Sequence, residues 1–167
     1  MGYVHDTQMS QFIPPTAIHC VTGTYTWTAG TVSGTISKHK ASNSETTVVN
    51  IPLMIPSNGA ALKGGKVRTI EVDYELTGAA ATSVTASMNK ITRGADTVGL
   101  TAADVPVTQD LAAGVAAATQ AKHKLTVTIT TPVWCLNTEY LLLVLTIVAS
   151  TAVIELEGAT VNYTFRA

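Results

Sequence analysis

A chain of 167 residues with 46% hydrophobic and only 13% charged side chains is long enough for one domain with its own core, and it needs no disulfide or metal to hold that core. Ten Lys and Arg against eleven Asp and Glu give a net charge of −1, which excludes a general polyanion-binding surface, because phosphate recognition needs clustered cations. Positions 1–11 hold neither a basic nor an apolar stretch, and the most apolar run, 140–149, is too short to span a bilayer, so neither a secretion signal nor a membrane partner is expected.

Positions 1–17 show no periodicity. They read as an extended N-terminal arm ahead of a single domain over 18–167. Pro14 and Pro15 exclude helix and favour extended backbone, while Tyr3, Met9, Phe12 and Ile13 give the arm apolar surface to bury against a neighbouring subunit. A frayed tail is the plain alternative.

From residue 18 the pattern has period two. Positions 18–28 alternate, with Gly23 at a bulge, and a turn at 29–30 leads into 32–40. After a turn at 41–44, the run 45–55 is β-branched, and Pro52 marks it as an edge or a kink. Turns follow at 57–59 and 64–65. The cleanest strand is 67–76, with Ile70, Val72, Tyr74 and Leu76 on one face and Glu71, Asp73 and Glu75 on the other.

Residues 82–93 repeat this alternation; 94–101 reads as loop, and 104–109 as a short strand. The Ala-rich stretch 111–121 reads as a loop with at most a turn or two of helix. Leu125, Val127 and Ile129 alternate with threonines, 140–148 reads as a fully buried strand, and 153–166 closes the chain. About eight or nine strands, separated by turns and without a convincing helix, predict an all-β, two-sheet antiparallel sandwich of jelly-roll type.

Candidate chemistry is sparse. Lys63, Lys66 and Arg68 form the densest cationic group and read as a solvated turn and strand start. His5, His19, His39 and His123 have no ligand spacing, and Cys20 and Cys135 match no metal motif, so neither a metal nor a cofactor is expected. A disulfide between the two cysteines and two separate thiols are both open readings. Trp27 and Trp134 read as core.

The segment Glu71-Val72-Asp73-Tyr74-Glu75 resembles the Glu-x-Asp-x-Glu strand of the family-16 β-glucanases, which are jelly rolls. That resemblance implies Glu71 as nucleophile and Glu75 as acid/base of a retaining glycosidase. It covers five residues and lacks flanking aromatic platforms. An outward row of acids paired with Lys or Arg on neighbouring strands accounts for the same pattern. The chain is therefore expected not to be an enzyme.

Taken whole, the chain resembles the small jelly-roll structural proteins of tailed-phage virions, both capsid decoration or cement proteins and tail-fibre or baseplate head domains. The resemblance is carried by the opening MGYVHDTQMSQFIPP, the Thr/Ala/Val-rich strands and the closing GATVNYTFRA. It implies a homo-oligomer with three-fold symmetry, a major capsid or tail protein as partner, assembly in a host cytoplasm and residence in the virion. It implies no nucleic-acid or membrane partner. The alternatives are a receptor- or carbohydrate-binding module of a phage tail, the glycan hydrolase through Glu71 and Glu75, and an extracellular filament subunit.

Overall fold

The computed structural model describes residues 5–23, 25–28, 36–40, 46–57, 63–94, 99–112, 116–149 and 151–166, with backbone alone for 25–28, 36–40 and 149. The turns expected at 29–30 and 41–44, most of that at 57–59, and Tyr3 lie outside the described residues.

The described residues form twelve strands in chain order: β1 (Asp6–Ile13), β2 (His19–Thr22), β3 (Tyr25–Thr28), β4 (Ile36–Lys40), β5 (Thr46–Leu53), β6 (Gly64–Thr77), β7 (Ala81–Arg93), β8 (Leu100–Asp104), β9 (Val107–Gln109), β10 (Lys122–Trp134), β11 (Glu139–Ala149) and β12 (Val153–Arg166). They form two antiparallel sheets. The first runs β3-β4-β12-β6-β10-β9, with β1 pairing β12 beside β4; the second runs β2-β5-β11-β7-β8. From β5 onward the chain keeps crossing over, with β5, β7 and β11 in the second sheet and β6, β10 and β12 in the first. Among the long strands, ladder neighbours such as β6–β12, β6–β10, β5–β11 and β7–β11 are far apart in sequence, as in a jelly roll, while β3–β4, β7–β8 and β9–β10 pair consecutively.

The core is the period-two pattern folded on itself. Ile70, Val72, Tyr74 and Leu76 of β6, with Leu125 and Val127 of β10 and Ile154 and Leu156 of β12, are at most 1% exposed. They face Val49, Ile51 and Leu53 of β5 and Leu141, Leu143, Leu145 and Ile147 of β11, all equally buried. Each such side chain contributes about 1.5–3 kcal/mol by leaving water.

Four features bear on the sequence reading. The count exceeds eight or nine because short edge strands add to the long central ones, and β8, exposed along its length, lies where a loop was expected. Pro52 sits on a strand flanked on both sides, yet β2 reaches only to Asn50, so β5 is locally an edge where the proline falls. Asp6–Ile13 of the expected arm forms β1, paired with β12 from Asp6↔Arg166 to Ile13↔Ala159. In the Ala-rich stretch read as a loop with at most a turn or two, Ala116–Ala118 is a turn, and Ala117 and Ala118 are buried as part of the core.

Candidate functional site

The two outer faces differ in chemistry. On the first sheet the acids of β6 meet the lysines of β10: Lys124 Nζ is 3.1 Å from Glu71, and Lys122 Nζ is 3.6 Å from Glu75 and 3.1 Å from Glu157. Hydrogen bonding and the charge of Glu71 hold the Lys124 ammonium above its ordinary pKa, and Glu157 does the same for Lys122. Both acids of the glucanase-like segment are thus ion-paired across the β6–β10 ladder.

On the second sheet, the outward positions of β5, of β7 from Ser83 to Asn89, and of β11 from Tyr140 to Val148 carry no charged residue. Leu142, Val144, Thr146 and Val148 form its central row, flanked by Thr, Ser, Asn, Val and Pro.

At one end of this face an open groove of about 970 Å³ runs between β5 and the start of β11. Its floor and walls include Pro52, Met54, Pro56 and Leu142, and its polar groups come from four places: Gln11 of β1, His19 of β2, Asn50 of β5 and Glu139 of β11. His19 and Asn50 are register partners, so their side chains leave the sheet together. Tyr140 is 40% exposed and forms the ridge between this groove and a second hollow of about 260 Å³ lined by Arg93, Leu100, Asn137 and Thr138.

Glu139 is already engaged. Its side chain is 8% exposed, lies 2.9 Å from Lys90 Nζ, and accepts the Leu136 N–H at 3.1 Å. Burial pushes the carboxyl up, but the hydrogen bonds from Lys90, Leu136 and Thr92 outweigh burial and hold it below the usual range. Cys135, buried beside it, donates to the Glu139 carbonyl at 3.1 Å. Burial and then the Glu139 charge push this thiol up to about 11, with Lys90 opposing. Cys20 and Cys135 form no disulfide.

The residues singled out for an assembly arm separate. Ile13 and Pro15 are buried in this chain's own sandwich, Pro14 is exposed, and Met9 and Phe12 are 42% and 58% exposed on β1. The Phe12 ring lies over Gly158. Of the histidines, His123 stacks on Tyr74 at 5.0 Å between ring centroids, and no group of three metal-ligating side chains occurs among the described residues.

Trp134 corrects the expectation of a core residue. It is half-buried on the outer face of the first sheet, with Lys66 Nζ 5.4 Å and the Arg166 guanidinium 5.0 Å from its ring centre. The alternation of β10, with Leu125, Val127 and Ile129 inward, puts Trp134 on the outward row, where its register partner is Lys66. Arg166 also grips Asp6 through two hydrogen bonds of 2.6 and 2.9 Å. The side chain of Trp27 lies outside the described residues.

No family model and no curated protein matches the chain. Among solved structures it is similar to TmCBM61 in complex with beta-1,4-galactotriose, at 7% identity and a TM-score of 0.40 over 96% of this chain and 88% of that one. A second similar structure is among the carbohydrate-binding modules of the β-sandwich superfamily with promiscuous specificity, at 11% identity and a TM-score of 0.37. There the alignment spans 96% of this chain and about half, 55%, of the other.

Proposed function

We propose that this chain is a non-catalytic binding module that takes a neutral glycan in the groove beside Tyr140. The observation that carries the reading is the exposed Tyr140 ring standing between two hollows edged by planar polar groups: Gln11, His19 and Asn50 on one side, Asn137 and Arg93 on the other. Sugar recognition uses this combination, an aromatic face for the C–H surface of the ring and amide or imidazole groups for its hydroxyls. The carboxylate in the groove is held by Lys90, so it serves as a fixed acceptor.

The test is titration calorimetry with β-1,4-galactotriose and a panel of neutral oligosaccharides, on the wild type and on Tyr140→Ala. Binding by the wild type that the variant loses, at an unchanged melting temperature, is the expected result. Retention of full binding by Tyr140→Ala, or no binding by the wild type to any neutral glycan, overturns the reading.

A second reading, an assembly subunit of the virion-component kind, draws on the uncharged centre of the outer face of the second sheet. Its three central strands, β5, β11 and β7, at about 4.8 Å spacing and up to eleven residues at about 3.3 Å rise, give an uncharged patch of roughly 14 by 36 Å, bordered by Asp104 of β8. Burying it removes no charge from water, whereas burying the ion-paired first sheet does. Light scattering across a dilution series tests self-association. Val144→Lys is expected to dissociate an oligomer built on this face, and a wild type monomeric at high micromolar concentration ends this reading.

A further inference from the structure

The fold gathers cations that the sequence scatters. Lys66 and Arg68 stand on β6, and the β6–β12 ladder brings Arg166 to the same end of the outer face, opposite Gly64. Arg166 holds Asp6 and both Arg166 and Lys66 rest on the Trp134 ring. Three cations therefore face one carboxylate. The charges of Lys66 and Arg68 both reach Asp6 and help hold its carboxyl low, after the larger effect of the Arg166 hydrogen bond. Elsewhere on this face, Lys122 and Lys124 are each matched by an acid.

Arg68 is placed by two coincident irregularities. The β6–β10 register jumps from Thr69↔Thr128 to Val67↔Val133, and the β6–β12 register jumps from Thr69↔Asn162 to Val67↔Tyr163. Arg68 is skipped by both neighbours, so Arg68 and Thr69 lie together between the inward Val67 and Ile70. Its Nε donates to the Thr164 hydroxyl at 3.0 Å, which fixes the guanidinium plane and leaves the two terminal nitrogens without a protein partner among the described residues. Beside it lies a hollow of about 360 Å³ whose other polar groups are neutral: Gln8, Ser10, Thr69, Asn162 and Thr164. Ser10 donates to Asn162 Oδ1 at 2.6 Å and Asn162 donates to Thr69 at 3.2 Å, so these groups are held in place before any ligand arrives.

We propose that this hollow is a second binding site, and that it takes the acidic group, carboxylate or sulfate ester, of an anionic glycan. A fixed guanidinium with two free donors matches a two-oxygen anion, Lys66, outside the hollow's lining but two residues along β6, adds to the positive field, and the row of hydroxyls and amides suits the neutral hydroxyls of the same sugar. The site lies on the opposite sheet from the Tyr140 groove and shares no residue with it. It extends the glycan-binding reading from neutral to acidic chains but stands on its own geometry.

The experiment is affinity electrophoresis of the wild type, Arg68→Gln, the double variant Lys66→Gln/Arg68→Gln and the control Lys124→Gln through gels holding polygalacturonate, dextran sulfate, neutral galactan or double-stranded DNA, with melting temperatures taken in parallel. We expect retardation by one or both acidic glycans, weakened about tenfold or more in the double variant and unchanged in Lys124→Gln. Polygalacturonate against dextran sulfate assigns the acidic group. Retardation by galactan with none by either acidic chain overturns this site and leaves the Tyr140 groove standing. Retardation by acidic chains alone does the reverse. Equal loss in Lys124→Gln and Arg68→Gln, or DNA bound as tightly as the glycans, reduces the effect to bulk charge and overturns the proposal.

Discussion

The phenol of Tyr74 donates a 2.6 Å hydrogen bond to the carbonyl of Ala117, tying the middle of a central strand to a turn that lies far along the chain. The same turn is held by the Ala81 N–H on the Ala118 carbonyl at 2.9 Å, and His123 Nε2 meets the Thr119 carbonyl at 2.7 Å while its ring covers Tyr74. A short Ala-rich segment has little side-chain surface to bury, so these bonds fix it. Tyr74→Phe leaves the Ala117 carbonyl buried without its donor and is expected to cost about 1–3 kcal/mol in urea unfolding.

That difference depends on pH. Burial, and then the charge of Asp110, hold the Tyr74 phenol well above its ordinary value. The folded state keeps the proton that the unfolded chain gives up near pH 10. The stabilisation is therefore complete below about pH 10 and declines above it. The gap between wild type and Tyr74→Phe is expected to narrow as pH rises past that point; a constant gap to pH 11 would contradict the burial of the phenol.

Gly158 has φ +134°, and a Cβ there would lie 2.7 Å from Cε2 and Cζ of Phe12 and 3.0 Å from the Ile13 carbonyl. Gly158→Ala is expected to destabilise by about 1–3 kcal/mol. Phe12→Ala in the same chain relieves the ring clash but neither the φ nor the carbonyl contact, so the double variant is expected to recover part of the loss. Full additivity in chemical denaturation would exclude the contact.

Val72 and Glu71 are sequence neighbours on opposite faces, the first fully buried and the second paired with Lys124 at the surface. Val72→Ala is expected to cost about 1–3 kcal/mol. Glu71→Gln is expected to leave the urea midpoint within error, because an exposed pair contributes little. A larger loss at Glu71 would mean that the register is inverted. Release of reducing ends from β-glucan by the wild type, abolished in Glu71→Gln, would revive the hydrolase reading.

Cys135 is 1% exposed, and its thiol is pushed up to about 11 from the ordinary value near 9. A raised thiol pKa favours the neutral form in the fold, so its contribution to stability is whole below pH 9 and is lost as pH climbs toward 11. Iodoacetamide at neutral pH is expected to label Cys20 and spare Cys135, read by peptide mass. Equal labelling of both would place Cys135 in reach of solvent.

What the sequence revealed of the fold depended on alternation. β6 and the first half of β10 carry one apolar residue in two, and each such residue is buried where the pattern put it, as Ile70 and Leu125 illustrate, whereas β11, read as fully buried from its continuous apolarity, buries only Leu141, Leu143, Leu145 and Ile147 and leaves Tyr140 40% exposed. β1 was hidden because only Ile13 at its end is buried, so an edge strand lying over the sandwich rim has no alternation to detect. Trp134 was misjudged because hydrophobicity reports what a side chain prefers, while its place in the alternation of β10, on the row opposite Leu125, Val127 and Ile129, decides which way it points. Both candidate sites were illegible for a common reason. The groove draws Gln11, His19, Asn50 and Tyr140 from four strands, and the hollow beside Arg68 draws on β1, β6 and β12, so neither has a local spacing. The motif that was legible, Glu71 with Glu75, is ion-paired to lysines.

The position of β12 has a consequence for how the chain comes off a ribosome. It is the last of the twelve strands in order, yet it lies inside the first sheet, with β6 on one side and β1 and β4 on the other. Until Val153–Arg166 emerges, β6 presents a bare edge of the kind that recruits foreign strands. β1 waits until Ala159–Arg166, far along the chain, emerge to pair with it. A nascent chain stopped before Val153 holds no smaller version of this sheet. It holds β6, β10 and β9 as one fragment, β3 and β4 as another, and β1 attached to neither.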